Sequence, residues 1–157
     1  MTDDTATPRT DEEVAPLRHT GHLIRRAQQV HHAVWTRDVS TEVSSVQYAA
    51  LAVLDRRPGA SQADLGAELS LDRSTIADLV SRMIRNGLIV RAQDAADRRR
   101  KVLTLTDAGR ATYAELVPRV DAIEPIVTGG LSAAERAEFR RLLRTVLAHA
   151  EGEGLTA

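Results

Sequence analysis

Between Ser61 and Gly109 the apolar pattern changes period twice, and few folds accommodate that in so short a stretch. A first helix begins at Ser61, whose hydroxyl can cap it, with Asp64 in its first turn and Leu65 and Leu69 facing inward. It ends near Ser70. After the tight turn Ser70-Leu71-Asp72 a second helix runs from Arg73 to about Asn86, with Ile76, Leu79, Val80, Met83 and Ile84 on its apolar face. Asn86-Gly87 is a C-terminal stop, because glycine accepts the left-handed conformation. Then Leu88–Arg91 and Val102–Leu105 read as short β runs around the polar, charged segment Ala92–Lys101. Helical period returns at Thr106-Asp107, with Thr106 as the cap.

Two helices on a tight turn followed by a hairpin is the order of a winged helix-turn-helix. The flanks are helical. A stripe of Leu23, Ile24, Ala27, Val30, His31, Val34 and Trp35 predicts a helix from about Pro16 to Arg37. Ser44 to Gln47 fits a capping box for a helix stopped by Pro58-Gly59, with Tyr48, Leu51, Ala52 and Leu54 on its inner side. The helix from Asp107 runs towards Val127, where Pro118 and Pro125 are expected to kink or shorten it. A second capping box at Ser132 opens a last amphipathic helix to about Ala150, carrying Phe139, Leu142, Leu143, Val146 and Leu147. The class expected is mainly α (α+β): a disordered acidic leader over 1–15, one domain over 16–150, and a frayed tail over 151–157.

Charge is informative only by location. Formal net charge is -1, yet the first thirteen residues hold five acidic groups and one Arg. From Leu71 to Lys101 eight cations face four anions, Asp72, Asp78, Asp94 and Asp97. Lys101 is the only lysine, so nearly every cation is Arg. Aromatics are 3%, too few for a platform that stacks single-stranded bases. No cysteine is present, which excludes thiol chemistry and disulfides. Apolar runs fall short of the ~20 residues that span a bilayer, and no signal-peptide pattern opens the chain. A soluble, cytoplasmic protein without membrane contact is expected. Phosphate-loop, dinucleotide, nucleophile-elbow and metalloprotease motifs are missing, so no catalytic residue, cofactor or enzyme activity is expected.

The start of the second helix exposes Arg73, Ser74 and Thr75, groups that reach phosphates and base edges in a major groove. The hairpin loop holds Arg98, Arg99, Arg100 and Lys101 in succession, suited to an adjacent minor groove. Residues 97–109 read Asp-Arg-Arg-Arg-Lys-Val-Leu-Thr-Leu-Thr-Asp-Ala-Gly. They match the wing signature of the multiple-antibiotic-resistance regulator (MarR) family: Asp, any residue, Arg, five residues, Leu-Thr, two residues, Gly. Leu71 to Ile76 and Asn86 to Ile89 also resemble that family, and the resemblance covers about 16–150. It implies a homodimer joined through 16–37 and 107–150, with the winged helix-turn-helix at 44–105. It implies a double-stranded, pseudo-palindromic DNA operator and a repressor released by a small ligand. Arg99 would enter the minor groove, and Asp97 would hold the wing. Asp78 departs from the pattern. If it faces the groove, it either repels phosphate or accepts from a cytosine amino group.

Four of the five histidines fall at His19, His22, His31 and His32, near Arg25, Arg26 and Trp35. His22 is one turn from Arg25, and His31 one turn from Trp35. Such a set suits a small aromatic carboxylate, with the guanidinium on the carboxylate and imidazole on a ring hydroxyl. The stretch Gly21 to His31 also resembles members of the family that respond to hydroxybenzoates or hydroxycinnamates. By that resemblance Arg25 grips the carboxylate and His31 meets a hydroxyl, with Arg26 and His32 as substitutes one residue away.

Plainer roles compete. The basic loop can be solvated, Ser74 and Thr75 can be helix-start residues, Arg25 an ion pair, and His31 and Trp35 core. His19 and His22 have helical metal spacing, but no nearby carboxylate completes a site, so no metal is expected. A metal-sensing regulator and a protein-interaction module that kept the fold but lost DNA binding are the alternative functions.

Overall fold

The computed structural model describes residues 17–154. The expected acidic leader and the last three residues lie outside them. The order is α1 (Thr20–Val34), a π-helical turn (Trp35–Val39), α2 (Ser45–Arg56), α3 (Gln62–Glu68) and α4 (Arg73–Arg85). Then come β1 (Ile89–Gln93), β2 (Lys101–Leu105), α5 (Asp107–Val127) and α6 (Ala133–Gly152).

Local chemistry sets the helix starts. Ser44, Ser61 and Ser132 each close a capping box, the first with Gln47, the second with Asp64 and the third with Glu135. Asp72 caps α4 and Thr106 caps α5. The α3–α4 turn places Ser70 at φ 51°, the left-handed region, while Leu71 N donates to Gly66 O at 2.9 Å. A second left-handed residue, Gly87, ends α4, and Leu88 N returns to Met83 O at 3.0 Å.

The strands pair antiparallel, Ile89 opposite Leu105 through Gln93 opposite Lys101. Leu51, Leu54, Leu65, Val80, Met83, Ile89 and Leu103 are fully buried, so α2, α3, α4 and the hairpin share one core. Trp35, Val39, Leu116 and Ile123 extend it to α5 and the π-helical turn.

Four expectations change. The first helix is shorter than 16–37, and its chain continues as the π-helical turn. Neither Pro118 nor Pro125 ends α5. Each removes one N–H donor, but both residues are exposed, so neither ring is forced into the core. Ile84 is on the rim of the α4 apolar face, not in the core. The last helix persists to Gly152, past the expected start of the frayed tail.

The outer helices have no cover in the single chain. Leu23 is 55% exposed and Leu147 59%, and α6 has no buried residue. No described helix is long and apolar enough to cross a membrane.

Gly109 fixes how α5 leaves the hairpin. A Cβ there would lie 2.0 Å from the Leu88 carbonyl oxygen. Gly109→Ala is expected to cost about 3 kcal/mol or more, because the obstacle is backbone; chemical denaturation at fixed protein concentration measures it. Asp64 supplies a pH signature. Hydrogen bonds from the Ser61 backbone and hydroxyl, then Arg100 and Arg57, hold its carboxyl at about 2. A depressed carboxylate pKa stabilises the fold above its unfolded value of about 3.9 and loses that contribution as pH falls. The stability gap between the protein and Asp64→Asn should therefore be constant above about pH 5 and vanish towards pH 2.

Candidate nucleic-acid interface and effector region

The α4 start carries Arg73, Ser74 and Thr75. Asp72 Oδ1 accepts from the Ser74 and Thr75 amides at 2.8 and 2.9 Å. It also accepts from Ser74 Oγ at 2.6 Å, while the Thr75 hydroxyl donates to Oδ2. These bonds, the Ser74 hydroxyl first, drive the Asp72 carboxyl well below the usual range. Both hydroxyl protons are thus spent on the cap, leaving oxygen lone pairs outward. The helix-start role is present in the free chain, and a phosphate contact from either hydroxyl requires its proton to turn. Arg73 is exposed and forms no ion pair among the described residues.

The wing tip is a pair of carboxylate-capped turns. Asp94 Oδ1 accepts from Ala96 N, and Asp97 Oδ1 from Arg99 N, both at 2.9 Å. Arg100 N donates to Asp97 O, and Asp94 N to Arg100 O, each at 2.9 Å. Asp97 therefore holds the backbone of Arg99. Arg98, Arg99 and Lys101 are exposed and have no ion pair among the described residues. Arg100 differs from its neighbours: its Nη2 lies 2.8 Å from Asp64 Oδ2, and Nη1 is 3.7 Å from Asp94. That contact crosses from the wing to α3 and was not foreseen from sequence.

Several arginines elsewhere are paired, Arg56 and Arg57 with Glu68, Arg110 with Asp107 and Arg119 with Glu115, while Arg25, Arg26 and Arg144 have no ion pair among the described residues. Arg73, Arg82 and Arg85 on α4, with Arg98, Arg99 and Lys101 on the wing, lack such partners among the described residues. Asp78 is exposed there too, likewise without one.

The effector candidates fall into two pairs. Arg25 Nη2 is 3.4 Å from His22 Nδ1 on the exposed part of α1. The His31 and Trp35 rings lie 5.9 Å apart. From Arg25 to His31 an α-helix rises about 9 Å and turns about 240°, so one chain does not bring both pairs onto one face. Trp35 is core, with its indole N–H donating to Val43 O at 2.8 Å. It also starts a row that sequence reading missed: Trp35 to Tyr48 is 5.7 Å and Tyr48 to Tyr113 5.5 Å. The row runs from the π-helical turn through α2 to α5. Its signal was the scarcity of aromatics, three of which gather here. A cleft of about 790 Å³ opens between residues 40–43, Leu88 and α5, lined in part by Asn86, Thr112, Glu115 and Arg119. None of His22, Arg25, His31 or Trp35 lines it. No cluster of three or more His, Cys, Asp or Glu able to hold a metal exists among the described residues.

Comparisons with known proteins agree with this architecture. A MarR family model matches residues 41–100. The transcriptional repressor NicR of Pseudomonas putida is 30% identical over 155 residues, covering 93% of this chain and 98% of its own. The structure of the PcaV transcriptional regulator from Streptomyces coelicolor, in complex with its natural ligand, superposes with TM-score 0.80 at 42% identity. That match covers 85% of this chain and 94% of PcaV. Bordetella bronchiseptica BpsR, whose DNA binding is regulated by 6-hydroxynicotinic acid, gives TM-score 0.72 at 33% identity, over 80% of this chain and 96% of BpsR. With the capped recognition-type helix, the hairpin wing and similarity to these regulators over 80–93% of its length, the chain belongs to the MarR family of transcriptional regulators.

Proposed function

We propose that this regulator is a homodimeric, cytoplasmic repressor that leaves its DNA operator when it binds a small aromatic carboxylate. The observation carrying the DNA half is the set of unpaired cations at the start of α4 and on the wing tip. In this reading α4 enters a major groove, led by Arg73 with Ser74 and Thr75. Arg98, Arg99 and Lys101 enter the flanking minor groove, and Asp97 fixes the turn behind Arg99. Narrow minor grooves attract arginine. Two copies joined through α1, α5 and α6 cover the apolar faces that the single chain exposes. Half-sites of a pseudo-palindrome about one helical turn apart match such a pair.

The effector half rests on Arg25, His22, His31 and Trp35, on the 6-hydroxynicotinic acid that regulates BpsR, and on PcaV having been solved with a natural ligand. Arg25 takes the carboxylate and His31 a ring hydroxyl, with the aromatic row as the wall. Because α1 turns the two pairs apart, the second copy completes the site. The row joins the π-helical turn after α1 to α2 and α5, the elements that link the outer helices to the DNA-binding lobe. A ligand bound more tightly in one lobe spacing than the other shifts the population towards it.

Two measurements check the halves separately. Arg99→Ala is expected to weaken operator binding by on the order of 1–3 kcal/mol and to flatten its salt dependence; unchanged affinity and slope reject the wing as a DNA contact. Arg25→Ala should bind operator like the parent protein yet release it only at much higher concentrations of hydroxybenzoate or hydroxynicotinate in a gel-shift titration. Normal release by the Arg25/Arg26 double variant would reject the effector site.

A further inference from the structure

The wing hangs from the helix-turn-helix at three places. Leu103 N donates to Ala60 O at 2.8 Å, and Gly59 N to Leu103 O at 3.2 Å. Arg91 Nη2 donates to Gln62 Oε1 at 2.7 Å. Arg100 Nη2 donates to Asp64 Oδ2 at 2.8 Å. The first two act at one level, the middle of the hairpin, where Arg91 and Leu103 face each other. Only the third reaches its tip, since Arg100 O and N close the turn onto Asp94 and Asp97.

Asp64 is suited to receive it. Its Oδ2 already accepts from Ser61 N at 2.8 Å and Ser61 Oγ at 2.7 Å, so the capping box fixes the carboxylate. Arg57 stands 3.8 Å from the other oxygen. Exposed ion pairs add little to global stability. Holding a hairpin tip in its bound geometry is a different gain, because it removes ordering cost from the binding step.

We propose that Asp64 is a positioning residue for operator recognition: through Arg100, which acts as a strut rather than a DNA contact, it sets the wing tip carrying Arg98 and Arg99 against α3 and α4. The proposal rests on the DNA-binding reading above for its consequence, and on the free protein for its geometry.

The test uses the full-length dimer with Arg100→Gln, Asp64→Asn, the double variant and Arg100→Lys. Hydrogen exchange of amides 94–100 in the free protein is read first. Arg100→Gln, which leaves the Ser61 cap intact, should speed exchange there at least threefold, and Arg100→Lys should recover part of the protection. Operator affinity is then measured across salt concentrations. Each single variant should bind about three- to tenfold more weakly, and the double no more weakly than either, as expected when both disrupt one link. The salt slope should stay at the parent value.

A slope reduced by about 0.9 per site in Arg100→Gln would make Arg100 a phosphate contact and overturn the strut. So would tighter binding by Asp64→Asn, the result if its carboxylate merely repels the operator. Unchanged exchange in Arg100→Gln overturns it without reference to DNA. If Arg99→Ala instead leaves operator binding untouched, the DNA interface fails, while the exchange data still decide the strut.

Discussion

The Leu88 carbonyl against Gly109 is the contact on which the arrangement turns. There is no space for a methyl group between them. At that point three pieces of chain meet: the exit of α4, the first residues of β1 and the start of α5. The same carbonyl accepts from Thr106 N, and the Thr106 hydroxyl reaches Gly87 O at 2.6 Å while capping Gly109 N. A helix start, a strand end and a helix end are thereby locked together. The long helix that leads to the outer apolar faces departs in a direction set by the recognition helix. The Leu-Thr-x-x-Gly portion of the wing signature is the sequence trace of this junction, and its glycine marks a close approach rather than a flexible turn.

Beside this rigid joint, the surface chemistry is organised by what is left unpaired. Asp64 on α3, Asp72 at the α4 cap, and Asp94 and Asp97 in the wing loop each accept from backbone amides or hydroxyls. Most arginines of α2, α5 and α6 find carboxylates. The cations of α4 and, on the wing, Arg98, Arg99 and Lys101 do not, among the described residues; Arg100 does. A chain close to neutral overall thus keeps a local positive face without needing a basic composition.

Features governed by neighbouring residues were legible in the sequence. The capping boxes, the Asn86-Gly87 stop and the hairpin follow from side chains a few positions apart, and they appear within a residue or two of expectation. Features that depend on distant segments were not. Arg100 looked like one more cation in a run of four, because its partner lies on another helix. Tyr48 reads as an ordinary inner-face residue of α2, and its contact with Tyr113 exists only once α2 and α5 lie side by side. The prolines of α5 are expected to kink or shorten it; they do not shorten it, and sequence alone does not reveal that both positions are exposed in the folded chain. Ser74 and Thr75 were legible only as a choice between two roles, and the cap geometry fills one of them.

The uncovered α6 has a consequence for how much active regulator a cell contains. A helix with no buried residue of its own draws its stability from a second chain, so folding and pairing are linked by mass action. Below the concentration at which copies meet, the exposed helices are open to proteases and to non-specific association. Where assembly takes two chains, the concentration of the pair rises more steeply than in proportion to the chain. In this way an apolar stripe sharpens the response of a genetic switch to its own dosage.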